Sequence, residues 1–210
     1  MKNIKLIIAL ALALGLAACD FGKPETNEET TKVDTIAATV STEADVVEMT
    51  INENGLSGLE FGSEIPETME GCTIEPLTYM AEGEEQIKYA VKKGDELLME
   101  IEPGFDLEKM EYTKTVDVIN IYSDRYQNTE HFHVGSNIND VLEAYPGKYT
   151  THLFVDDNVY VDLGGIQFMV APEDYDGKLP EITSDEGAII KNPTFKPDAK
   201  VKMIRLYNTK

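Results

Sequence analysis

Apolar and polar positions alternate with a period of two through much of the chain, in short blocks separated by turn residues. Ile87, Tyr89 and Val91 make one block, "KKGD" turns the chain, and Leu97, Met99 and Ile101 make the next. That is the pattern of a half-buried antiparallel hairpin. It recurs further on, where Val159, Val161 and Leu163 alternate, Gly164 and Gly165 turn, and Ile166, Phe168 and Val170 follow. Each set is preceded by a first strand, "LTYM" or "THLFV", and closed by a matching one, "VDVINIYS" from Val116 to Ser123 and "VKMIRLYN" from Val201 to Asn208.

A second periodicity precedes each set. "FGSEIPETME" at 61–70 lies over "VGSNINDVLE" at 134–143, pairing Gly62 with Gly135, Ser63 with Ser136, Ile65 with Ile138 and Glu70 with Glu143. In the second copy, Ser136 is placed to cap a helix whose stripe is Ile138, Val141 and Leu142, and "YPG" at 145–147 stops it. In the first, Pro66 falls in the opening turn, where a helix has no backbone bond to lose, so a short helix is expected there too. The expected fold class is therefore α+β. It is a tandem duplication of one helix plus about four antiparallel strands, with the helices packed on one face of the sheet. Repeat one spans about 59–123 and repeat two about 132–208, inside one domain at 46–210. The extra positions of the second repeat lie mostly in the acidic stretch from Ala171 to Asp198.

The opening motif G-S-x-I-x-[DE]-x-[ML], followed by antiparallel strands, resembles the small envelope modules of SmpA/OmlA-type lipoproteins. It also resembles the β-lactamase-inhibitor-like fold, whose inhibitor member is itself a tandem duplication, and numerous uncharacterised lipoproteins of the Bacteroidetes. The likeness covers residues 59 to 208. It implies a binding module rather than an enzyme and carries over no functional residue. Two units in place of one depart from the SmpA/OmlA pattern, which weakens any transfer of a role in outer-membrane assembly.

The amino terminus adds location. "MKNIK" is short and basic, "LIIALALALGLAA" is apolar but shorter than the ~20 residues a membrane-spanning helix needs, and Cys19 follows. "LAAC" at 16–19 resembles the lipobox of bacterial lipoproteins, so residues 1–18 are expected to be a signal peptide and Cys19 the lipidated mature terminus. Residues 19–45 are rich in Thr and Glu with no sustained period, as a tether is. Anchorage to the inner or outer membrane through the lipid follows as an expectation, in the cell envelope.

Charge narrows the partners. The 210 residues carry a net charge of −21, and loss of Lys2 and Lys5 with the signal peptide would leave −23. Such a surface repels nucleic acid and anionic lipid, so the acyl chains alone must hold the membrane. If Cys19 is lipidated, Cys72 has no disulfide partner, and it lacks the neighbours of a nucleophile.

Candidate chemistry is sparse. His131 and His133 in "HFH" share one face of an extended segment, a spacing that two metal ligands use, with His152 as a possible third. Alternatively they are a solvent-facing pair. Asp174, Asp176 and Asp185 in the acidic 173–186 loop could gather a hard cation, or belong to a solvated insertion. No cofactor motif and no catalytic signature emerges, and no enzyme is expected. In the closing strands Ile119, Ile121, Ile204 and Leu206 share the parity that should face the helices. Val118, Tyr122, Met203 and Tyr207 take the other face, with Tyr160 and Met169 in the corresponding parity of their strands. That face, rich in Tyr and Met, is the candidate surface for an envelope protein partner, unless the tether, the long loop or the strand "VVEMTIN" covers it. The alternative function is a metal-dependent enzyme or cation-binding protein built on the histidines or the acidic loop.

Overall fold

A computed structural model describes residues 49–81, 83–182 and 187–209. Cys19, the signal peptide, the tether and Asp185 lie outside the described residues. Strands dominate. Three short ones come first, β1 (Thr50–Asn52), β2 (Gly55–Leu56) and β3 (Leu59–Glu60). Four long ones follow, β4 (Thr73–Ala81), β5 (Glu84–Lys93), β6 (Glu96–Asp106) and β7 (Glu111–Ile121). The remainder are β8 (Gln127–Asn128), α1 (Ile138–Ala144), β9 (Thr150–Leu153), β10 (Val159–Asp162), β11 (Ile166–Val170), β12 (Ala188–Ile190) and β13 (Val201–Tyr207).

The alternating blocks form strands where the pattern places them, and both hairpin turns rest on glycine. Gly94 (φ +61°) turns β5 into β6, and Gly164 and Gly165 (φ +79° and +112°) turn β10 into β11, angles that residues with a Cβ rarely adopt. Nine strands join in one sheet, in the order β12-β9-β10-β11-β13-β7-β6-β5-β4. The two closing strands meet at its centre, β13 antiparallel to β7 with Ile204 opposite Ile121 and Leu206 opposite Ile119. A smaller sheet, β3-β2-β1-β8, is antiparallel except for the parallel pair β1 and β8.

The expected α+β duplication of helix plus strands is overturned. Among the described residues there is a single α-helix, seven residues long, and the first copy has none. Its segment runs instead as extended chain and turns, Glu64 bridging to Thr115 and Met69 to Cys72. The cause lies in two substitutions between the copies. Pro66 stands where the second copy has Asn139, and the residue before a proline is pushed out of helical geometry, so Ile65 cannot begin a helix. Gly71 stands where the second copy has Ala144, leaving too few residues between breakers for a stable turn and a half.

In the second copy the cap is also shifted. Asn137, not Ser136, accepts from the Asn139 amide at 2.9 Å, while Ser136 Oγ accepts from the His133 amide at 3.0 Å. The stripe Ile138 and Val141 is fully buried, Leu142 partly so.

What covers the inner face of the large sheet is thus mixed. Ile51, Leu56 and Leu59 of the small sheet, Ile138 and Val141 of α1, and Phe195 and Ala199 all pack into the one core with Met99, Ile121, Phe168 and Ile204. The strand within "VVEMTIN" covers this inner face rather than the open one. So does the acidic stretch, which is not a purely solvated insertion: Tyr175, Leu179 and Ile182 pack against the core, and Tyr175 bridges Phe195.

Candidate functional site

Register decides the site. On the inner face a buried row crosses the sheet from Met99 through Ile121, Ile204 and Phe168 to Val161. One residue along, the opposite face carries a polar row, from Glu100 through Asn120, Arg205 and Gln167 to Asp162. Strand alternation requires this pairing of faces, because successive side chains point to opposite sides.

The six residues expected on the open face do gather there. Tyr160, Met169 and Met203 stand side by side in register, and Tyr207 stands opposite Val118. They are not a flat apolar patch. Tyr160, Met203 and Val118 are only 7%, 5% and 9% exposed, crowded by polar neighbours on the same face. Each tyrosine is tied to a carboxylate: Tyr122 Oη donates to Glu100 at 2.9 Å, Tyr160 Oη to Asp156 at 2.7 Å, and Tyr207 Oη to Asp162 at 2.8 Å. Burial, reinforced by these carboxylates, raises all three phenols above the ordinary tyrosine range.

Two cations lie among these acids. Arg205 Nη2 is 3.3 Å from Glu102, whose other oxygen accepts from Asn120 Nδ2 at 2.6 Å. Lys88 Nζ is 2.7 Å from Glu100 and 5.1 Å from the centre of the Tyr79 ring, a cation–π distance.

Three cavities open along this face and share walls. The largest, about 560 Å³, lies between the turn carrying Phe154 and Asp156 and the strands carrying Tyr160, Arg205 and Tyr207. A second, about 310 Å³, lies against Tyr79, Glu84, Phe105 and Tyr112, and meets the first at Asp117. A third, about 320 Å³, shares Glu102 with the second and Asp156, Tyr160 and Arg205 with the first. Together they make one trough across the strands, with aromatic walls at both ends. Sequence reasoning missed Glu100, Glu102, Asn120, Asp156 and Arg205. Alternation with Met99, Ile101, Ile119, Ile121, Ile204 and Leu206 carried the signal for four of them, but only cross-strand register brings them together.

The metal candidates do not converge. His131 is not in an extended segment: its φ is +65°, in a turn whose amide donates to Asn128. His133 Nδ1 lies 2.8 Å from the Val134 carbonyl, and His152 stacks on Phe154. Asp174 lies 3.5 Å from Lys202, and the Asp176 carbonyl accepts from Thr194. Among the described residues no three His, Cys, Asp or Glu side chains are grouped to hold a metal ion. No described helix is long and apolar enough to cross a membrane.

No family model matches the chain, and neither does any curated protein. Among solved structures, the uncharacterized protein yfeY from Escherichia coli is similar at 14% identity and a TM-score of 0.47, over 77% of this chain and 99% of that one.

Proposed function

We propose that this chain is a lipid-anchored binding module of the cell envelope, without catalytic activity, whose open sheet face receives a segment of another protein. The observation that carries the proposal is the trough. The small sheet, α1 and the acidic stretch contribute to the core on the inner face, while the opposite face holds connected cavities of ligand-binding size lined by aromatic rings and polar groups. The polar groups at the centre of the trough, Glu100, Glu102, Asn120 and Arg205, are tied to partners on neighbouring strands, which suits recognition by a preorganised surface. The lipobox-like "LAAC" supports the anchor.

Site-specific photo-cross-linking in intact cells expressing the full chain tests the reading. A photoreactive residue at Met169 or Tyr122 should yield one dominant protein adduct, absent from the same label at exposed Glu143 on α1, which packs on the opposite side of the sheet. Indistinguishable adducts from both regions would refute it. In parallel, Cys19→Ser should release the protein from the membrane fraction.

A further inference from the structure

We infer that the occupant of the trough is an extended, basic polypeptide segment of about nine residues lying across the strands. This rests on the proposal that the open face binds protein.

The length comes from sheet geometry. From β10 to β4 the order is β10-β11-β13-β7-β6-β5-β4, which is six strand spacings. At about 4.8 Å each these span about 29 Å, and an extended chain covers that distance in about nine residues. The aromatic-walled cavities sit at the two ends of this path, one beside Tyr160 and Tyr207, the other beside Tyr79 and Tyr112.

The chemistry comes from charge. Five carboxylates, from Glu84, Glu100, Glu102, Asp117 and Asp156, line the three cavities against one guanidinium, that of Arg205. Arg205 is engaged by Glu102, and Lys88 by Glu100. Asp117, Asp156 and Glu84 form none of the described ion pairs. Asp117 and Glu84 lie on the surface, and Asp156 faces the trough beside Phe154 and Tyr160. An incoming lysine or arginine would meet a carboxylate and an aromatic face together, a combination that favours a cation with an apolar stem. Anionic segments are repelled along the whole path.

A fluorescent nonapeptide alternating lysine and glycine, titrated into the full chain and followed by anisotropy, makes the test. Its glutamate counterpart and an uncharged oligosaccharide of similar length serve as comparisons. Because the whole protein is acidic, two triple variants separate the trough from general attraction. Glu84→Gln, Asp117→Asn, Asp156→Asn neutralises the trough, and Glu173→Gln, Glu181→Gln, Asp198→Asn neutralises exposed acids on the 171–199 stretch.

The expected result is salt-sensitive binding of the lysine peptide, weakened about tenfold or more by the trough variant and about twofold or less by the other. Equal weakening by both variants, no binding, or preference for the oligosaccharide would overturn the inference. Thermal melts of both variants confirm that they fold. If the lysine peptide fails while Met169 still cross-links a single protein in cells, the basic chemistry is wrong and the binding face stands. Failure of both removes the face as well.

Discussion

The amide of Gly135 donates to the carbonyl of Val201 at 2.8 Å, and the Val201 amide returns to the carbonyl of Ser136 at 2.9 Å. The first copy makes the same clamp with the same distances: Gly62 to Val116, and Val116 to Ser63. What recurs between the copies is therefore a glycine-serine turn fastened to a closing strand, at the first residue of β13 and midway along β7. Ile65 and Ile138 follow, their amides donating to the carbonyls two residues before the clamp, those of Lys114 and Ala199. The repeated Gly is required because its φ is positive in both copies, +75° and +95°.

Gly135→Ala should therefore destabilise the fold by about 1–2 kcal/mol through backbone strain alone, since an added Cβ meets nothing within 4 Å. Gly187→Ala should cost more. There the added Cβ would lie 2.3 Å from the Leu153 carbonyl oxygen, and the strand edge must shift. Urea unfolding of the two variants checks the ranking.

Loss of the helix cap is separable from loss of Ser136. Asn137 accepts from the Asn139 amide and donates to the Pro197 carbonyl at 2.7 Å, tying α1 to the segment before β13. Asn137→Ala should cost about 1–2 kcal/mol, the upper part of the usual capping range. Equilibrium unfolding of Asn137→Ala gives the value.

Arg205→Met keeps the aliphatic stem and removes the charge from the centre of the trough. Both partners of its ion pair are about a third exposed, 33% and 29%, so solvent screens the pair and the stability loss should stay near 1 kcal/mol. The variant should also bind the lysine-glycine nonapeptide more tightly than the parent chain, because Glu102 is then left to the ligand. Anisotropy at low salt reads this directly.

Alkaline pH should destabilise the fold through its half-buried and buried tyrosines. Tyr122, Tyr160 and Tyr207 are raised by burial and by their carboxylate partners. Tyr126, buried against the core, is raised to about 12. The folded state holds these protons while an unfolded chain releases them near pH 10, so their contribution to stability is present below about pH 10 and is lost as pH rises above it. Ultraviolet titration of tyrosinate, with Tyr122→Phe as the comparison, should show ionisation later than free tyrosine, and stability should fall over the same range.

The period-two blocks, the two glycine turns and the face assignment of Ile119, Ile121, Ile204 and Leu206 were legible in the sequence, because strand alternation is a local property written in consecutive residues. The recurrence of Gly-Ser-x-Ile was legible as well. Its meaning was not. The motif suits the start of a helix, and whether a helix follows was settled by Pro66 and Gly71 in one copy and by Asn137 and Ala144 in the other.

Three matters belonged to the tertiary structure. That the closing strands pair with each other, Ile204 against Ile121, depends on contacts between segments far apart in the chain, which no local pattern specifies. Register then placed Glu102, Asn120 and Arg205 together on adjacent strands and made a face of tyrosines and methionines into an acidic trough. The identity of the cover on the inner face, a small sheet, one helix and the stretch around Tyr175, followed from which apolar surfaces remained to be buried once that sheet had formed. Sequence alone set which side of each strand is apolar. Long-range pairing decided which polar side chains became neighbours, and so where this protein could bind.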